Sequence, residues 1–288
     1  MMQKIIFVAL YLFLAPFIGG LLDGLDRKIG ARMQGRVGPP LLQPFYDVKK
    51  LFNKQFIIVN RAQTFLVLSF CLTQIFTGCM FFAGADIMMC FFVLSTGATF
   101  LVFAAAITHS PYSSLGASRE LIQMMSYEPA VLLACVGFYL ANQTFNVSEI
   151  IGANISSIVF IPGFFVSYVF ILTIKMRKSP FDLSTSHHAH QELVKGVTTE
   201  MGAENLAFYT ITEWYENVFL LAVVGLFFIN SNPISYVAAV VAVLAVCFLE
   251  TLIDNTCARV KWNVLLKQAW IVTILASGVN LLILMLVK

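Results

Sequence analysis

Eight apolar runs, each close to the length that crosses a bilayer, constrain this chain more than any other feature. They cover roughly 5–22, 64–84, 87–108, 121–141, 154–174, 209–229, 234–253 and 268–287, and about 20 apolar residues suffice for a spanning helix. Backbone in lipid must satisfy its own hydrogen bonds, so such runs predict helices. Composition points the same way: 59% of residues are hydrophobic and 11% are charged, against roughly 25% charged in a soluble domain. So few charges cannot cover a soluble surface, which excludes a disordered chain, a secreted disulfide scaffold and a free cytosolic enzyme. A net charge of +3 is too small to suggest a nucleic-acid partner. The expected fold is all-α: a polytopic membrane protein with about eight transmembrane helices, residues 1–288 forming a single integral membrane domain. The first run has one basic residue before it and no convincing small-residue cleavage site, so it reads as a span rather than a signal peptide. No repeat at a fixed period is evident, which argues against an inverted-repeat transporter.

Basic residues then order the loops. Sixteen of the 18 Lys and Arg fall after the first, third, fifth and seventh runs, from Arg27 through Arg61, at Arg119, from Lys175 through Lys195, and from Arg259 through Lys267. The three intervening loops hold none. The positive-inside rule places the four basic loops in the cytoplasm and both termini outside. Within the first loop, residues 41–55 put Leu41, Phe45, Val48 and Phe52 on one helical face and mostly polar residues on the other. This predicts an amphipathic helix in the cytoplasmic interface, serving either as a basic surface on lipid headgroups or as a docking platform for a soluble partner.

Carboxylates at membrane depth are costly and therefore presumptively functional or paired. Glu120 and Glu128 fall near the start of the fourth run, and Glu213 and Glu216, three apart and so on one helix face, near the start of the sixth. Glu128 and Glu213 read as members of a proton path. Glu250 and Asp254, at the end of the seventh run, read instead as interfacial acids wetted by cytoplasmic water and paired with nearby Lys and Arg. Glu192, Glu200 and Glu204 lie in the long loop between the fifth and sixth runs. That loop also holds His187, His188 and His190, three of the chain's four histidines. Contact with a partner subunit is their favoured reading, with a proton relay or a metal site as alternatives. The six cysteines form no CxxC pair and sit mostly in apolar runs, so they read as packing residues; no metal or redox cofactor is expected in this chain.

Three stretches carry a family resemblance. The first is Asp26-Arg27-Lys28 through Gln34-Gly35-Arg36-Val37-Gly38-Pro39, with Leu42-Gln43-Pro44 and Asp47. The second is Gly116-Ala117-Ser118-Arg119-Glu120 with Ser126-Tyr127-Glu128. The third is Ser179-Pro180-Phe181-Asp182-Leu183 with Glu192-Leu193-Val194, Gly196, Glu200 and Glu213. Together they resemble the first membrane subunit of NADH dehydrogenase, known in bacterial complex I as the H subunit, and its relatives in membrane-bound nickel–iron hydrogenases. Residues 116–120, Glu128-Pro129, the run 178–194 and Asp254-Asn255-Thr256-Cys257-Ala258-Arg259 look most like the hydrogenase branch, above all the corresponding membrane subunit of Ech-type hydrogenase.

The resemblance implies a membrane anchor and coupling subunit of an energy-converting hydrogenase, in a prokaryotic cell membrane. It would link ferredoxin-dependent proton reduction, or hydrogen oxidation, to movement of H⁺ or Na⁺. The expected partners are the hydrogenase large and small subunits, a ferredoxin-like iron–sulfur subunit and an antiporter-like membrane subunit, with the nickel–iron centre and iron–sulfur clusters in those partners. By position, Glu128, Asp182, Glu192, Glu200 and Glu213 match family acids on the proton path, and Glu120 matches the hydrogenase-type pattern. Arg27, Arg32 and Arg36 match the basic first loop and are assigned to partner docking. The histidines stand where respiratory relatives are rich in acids, and Glu216 has no secure counterpart. The alternatives are a quinone-chamber subunit of a complex I-like dehydrogenase, and a solitary transporter or passive anchor.

Overall fold

The computed structural model describes residues 2–55, 60–178, 180–185, 193 and 195–287. Every expected run has a helical counterpart: α1 (Met2–Met33), α3 (Arg61–Phe82), α4 (Ile87–Ala106), α5 (Pro111–Asn142), α7 (Pro162–Lys175), α8 (Ala203–Leu226), α9 (Ile234–Thr256), and a last helix built from α10 (Trp262–Val272), a π-helical segment (Thr273–Gly278) and α11 (Val279–Val287). The amphipathic segment is α2 (Gln43–Phe52), and a single short turn, α6 (Val147–Ile151), follows α5. Six of these helices are long and apolar enough to cross a membrane. The protein is therefore an all-α, multi-pass membrane protein.

Three boundaries differ from the apolar runs by eight residues or more. Helix α1 continues to Met33 and α5 begins at Pro111, so Arg27, Lys28, Arg32, Arg119 and Glu120 are helical rather than in loops. Each helix projects its polar extension beyond the apolar stretch, where hydropathy no longer reports it. Helix α7 starts later than expected and has only 14 residues. Its start is secured by Asn280 on α11, whose Oδ1 accepts from the Gly163 N–H at 2.8 Å and whose Nδ2 donates to the Phe160 carbonyl at 3.1 Å. Those bonds satisfy backbone groups that a helix end leaves without partners.

Helices α3, α4, α5, α7 and α8 form the core. Phe81, Phe91, Phe138, Phe219 and Phe227 are buried there, with Phe138 and Phe227 ring centroids 4.5 Å apart. In lipid, close packing of this kind holds helices together, since burial from water adds little. By contrast Ile5, Phe13, Val237, Val241, Ile274 and Leu282 are exposed on α1, α9 and the last helix, as apolar faces toward lipid or another membrane chain require.

Alternation of helices collects the connections at two ends. At one end the Asp86–Asn146 bridge and the Ser156 hydroxyl, which donates to the Phe228 carbonyl at 2.8 Å, join the three lysine- and arginine-free loops. At the other end, Phe181 bridges Val260, Lys178 reaches Asp26, and α5 packs on the turn Gly196–Thr198. The four basic connections share this second end.

Candidate functional site: a buried ion-pair cluster beside a cavity

At the basic end, the chain leaves α7 with three cations in four residues. Lys175 Nζ lies 2.7 Å from Glu216 Oε1 on α8. Arg177 Nη1 and Nη2 lie 3.2 and 3.3 Å from the two oxygens of Glu120 on α5, and its Nε lies 3.0 Å from Glu213 Oε1 on α8. Lys178 Nζ lies 2.7 Å from Asp26 Oδ2 on α1. One segment therefore clamps carboxylates from three helices. The three-residue spacing of Glu213 and Glu216 matches the two-residue spacing of Arg177 and Lys175, so the two acids meet different cations.

The cations of the cluster are buried and crowded. The side chains of Lys175, Arg177 and Lys178 are 7%, 11% and 8% exposed. Arg177 also donates to the Ser184 and Thr185 hydroxyls at 2.8 and 2.9 Å, and Ser184 donates to Glu120. Burial alone disfavours the Arg177 charge, but Glu120, Tyr209, Glu213 and Glu216 outweigh it and hold its pKa above the ordinary value. The Arg177 backbone is left-handed, φ +54°, which a non-glycine residue adopts only when its surroundings impose it. Lys175 lies over the Tyr127 ring at 4.3 Å and Arg177 over the Tyr209 ring at 5.8 Å. A cavity of about 10 Å³, room for one water, touches Glu120, Gln123, Tyr127, Lys175, Arg177 and Glu216.

Two glycines make the cluster fit. A Cβ at Gly116 would stand 2.4 Å from the Val197 nitrogen, and one at Gly196, φ +36°, would stand 1.7 Å from the Ser184 carbonyl oxygen. The glycine that opens Gly116-Ala117-Ser118-Arg119-Glu120 thus lets the loop lie directly on α5, next to Glu120. Asp182, 1% exposed, is held by Arg119 from α5 and by Arg259 at 3.1 Å from beyond α9.

A second cavity, about 920 Å³, opens between α1, α8 and α9. Asp26, Arg27, Arg36, Lys178, Glu213 and Asp254 are among its walls.

The proposed acids divide by place. Glu120 and Glu213 meet at Arg177, Asp182 sits one layer away, and Glu128 is half-buried in mid-α5 immediately before Pro129. Glu200 is half-buried after the Gly196–Thr198 turn. Glu192, His187, His188 and His190 lie outside the described residues. Arg32 and Arg36 are exposed, whereas Arg27 is taken up by Asp23 at 3.0 Å and Asp47 at 3.2 Å, pinning α1 to α2. The expectation that Glu250 is wet and ion-paired is corrected: it is fully buried on α9, and one oxygen has no hydrogen-bond partner among the described residues. Cys257 is exposed, unlike the packing role expected of it, while Cys71, Cys90 and Cys135 are buried. By sequence Lys175, Arg177 and Lys178 mark topology alone. Their spacing, cations within four residues at the end of an apolar run, was the available sign of a counter-ion clamp. Among the described residues no three His, Cys, Asp or Glu gather to hold a metal ion.

Residues 5–285 match the NADH dehydrogenase family. The chain belongs to that family. NADH dehydrogenase family relatives include the H subunits of the NADH-quinone oxidoreductases of Bacillus thuringiensis subsp. konkukian (strain 97-27) and Bacillus cereus (strain AH187). Each is 26% identical over 296 residues, covering 91% of this chain and 87% of the relative. Among solved structures, a chain of the membrane-bound sulfane sulfur reductase, an archaeal respiratory membrane complex, has the same fold. Its TM-score is 0.86 at 21% identity, covering 98% of this chain and 99% of that one. The family places this protein among membrane subunits of complex I-like oxidoreductases.

Proposed function

We propose that this protein is the membrane anchor and coupling subunit of an Ech-type energy-converting hydrogenase. The observation that carries the coupling role is the clamp itself: Lys175, Arg177 and Lys178 hold Glu216, Glu120, Glu213 and Asp26 from three helices. A change of charge at the basic end alters which carboxylate each cation prefers, and so the proton affinity of Glu120 and Glu213. Glu128, further along α5, takes the signal toward an antiporter-like membrane partner. The hydrogenase assignment is supported by residues 116–120, 178–194 and 254–259, which resemble that branch. The hydrogenase large and small subunits and a ferredoxin-like subunit would dock on the basic end, with Arg32 and Arg36 exposed to meet them. The nickel–iron centre and iron–sulfur clusters would sit in those partners and supply the electron chemistry. The positive-inside rule sets this end in the cytoplasm and both termini outside.

The large cavity favours a second reading, a quinone chamber, because about 920 Å³ lies within the range of small-molecule sites. A quinone analogue that protects the cavity from labelling would support it. The hydrogenase reading predicts nickel in the complex purified in mild detergent. Glu213→Gln should abolish ion translocation while hydrogen turnover with an artificial dye persists. Full ferredoxin-linked translocation in that variant overturns the coupling role.

A further inference from the structure

Glu250 stands apart from the paired carboxylates. It lies on α9 against α7, fully buried, with Thr173 Oγ1 at 3.5 Å from Oε1 and no partner for Oε2 among the described residues. The cation that acts on it, Lys178, is engaged with Asp26 at 2.7 Å. An isolated carboxylate removed from water is so costly that the group takes up a proton instead.

The surroundings give that proton a route. Cys247, Thr251 and Asp254, on the same helix, line the large cavity, as do Asp26 and Lys178. Thr251 donates to Asp26 Oδ1 at 2.7 Å, and Asp26 Oδ2 holds Lys178 at 2.7 Å. Glu250 adjoins the cavity-lining Thr251 on α9, and the Lys178–Asp26 ion pair stands in the cavity wall. The charged groups acting on Glu250 are Lys178 from the segment after α7, Asp26 from α1 and Asp254 from its own helix.

We propose that Glu250 is a proton-binding site, held as the neutral acid, which exchanges its proton with the large cavity by way of the Lys178–Asp26 pair. The proton leaves Oε2 for water in the cavity. Lys178 turns from Asp26 to the carboxylate left behind, while Asp26, with its side chain 32% exposed, keeps its charge in water. Proton uptake from the cavity reverses both movements. Lys178 follows Arg177 in sequence, so the state of Glu250 reaches the clamp directly; this transport consequence rests on the coupling reading above, whereas the protonation does not.

The test is infrared spectroscopy of the intact membrane complex. The resting complex should show the carbonyl stretch of a protonated carboxyl that shifts in heavy water. Glu250→Gln should remove that band, and Thr173→Val, which deletes the nearest hydroxyl, should shift it. An unchanged band set in Glu250→Gln overturns the proposal. If that variant fails to assemble, an unshifted spectrum in Thr173→Val overturns it instead. In vesicles with a pH-sensitive dye, Glu250→Gln should abolish most proton translocation per electron. Loss of the band with translocation intact overturns the exchange role and leaves the coupling reading standing. Loss of translocation in Glu250→Gln but not in Glu213→Gln does the reverse.

Discussion

Arg177 grips both oxygens of Glu120, Nη1 to Oε2 at 3.2 Å and Nη2 to Oε1 at 3.3 Å, from a backbone in the left-handed region. The conformation costs about 1–2 kcal/mol at a non-glycine residue. Two parallel hydrogen bonds and a third contact to Glu213 offset it, and they orient the guanidinium between α5 and α8. The cluster is thereby fixed in geometry, and only the distribution of its protons and ion pairs is free to change.

Replacing Arg177 by Met leaves Glu120 and Glu213 buried without their shared cation. The expected destabilisation is about 3–5 kcal/mol, the usual cost of removing one partner from a buried pair. Arg177→Lys should fall between, because an ammonium cannot present the fork that Glu120 accepts. Thermal melting of the detergent-purified complex gives the order; equal melting of Lys and Met variants would contradict the bidentate account.

Lys175 and Glu216 should be energetically coupled. A double-mutant cycle with Lys175→Met and Glu216→Gln is expected to show an interaction of about 0.5–3 kcal/mol, since neither replacement adds a new charge. Additive effects would show that the 2.7 Å contact contributes no net stability.

Gly116→Ala should weaken the protein although alanine favours helix. The new Cβ would meet the Val197 nitrogen at 2.4 Å, and backbone cannot yield as a side-chain tip does. The expected loss is about 1–3 kcal/mol, as for other overpacked sites. A melting temperature equal to or above that of the parent would refute the close approach.

Asp182→Ala should separate the chain after α7 from both α5 and the segment after α9. Arg119 and Arg259 lose their shared acceptor at once. Loss of a buried partner again predicts about 3–5 kcal/mol. Removal of one arginine should cost less, because the other still balances the carboxylate. Melting curves of Asp182→Ala, Arg119→Met and Arg259→Met check the ranking.

Orientation is open to chemical test through Cys257, exposed just beyond α9. A membrane-impermeant thiol reagent should label it in inside-out vesicles and spare it in intact cells. Cys71, Cys90 and Cys135 are buried and should stay unlabelled in both. Labelling of Cys257 from outside the cell would invert the assigned topology.

The sequence by itself determined the helices, because period and length are local properties and lipid leaves the backbone few alternatives. It also determined the grouping of loops, since an alternating path through a bilayer returns every second connection to the same side. The amphipathic α2 and the shared face of Glu213 and Glu216 were legible for the same reason. Tertiary structure alone decided the pairings. Lys178 and Asp26 are 152 residues apart. Nothing in local pattern shows that Lys175, Arg177 and Lys178 turn inward, or that Glu250 is sealed against α7 while Asp254, one turn later, lines a cavity. Charge at a helix end reads identically whether it faces water or a carboxylate on another helix. That choice depends on how the helices pack, and packing brings together residues that the chain keeps far apart.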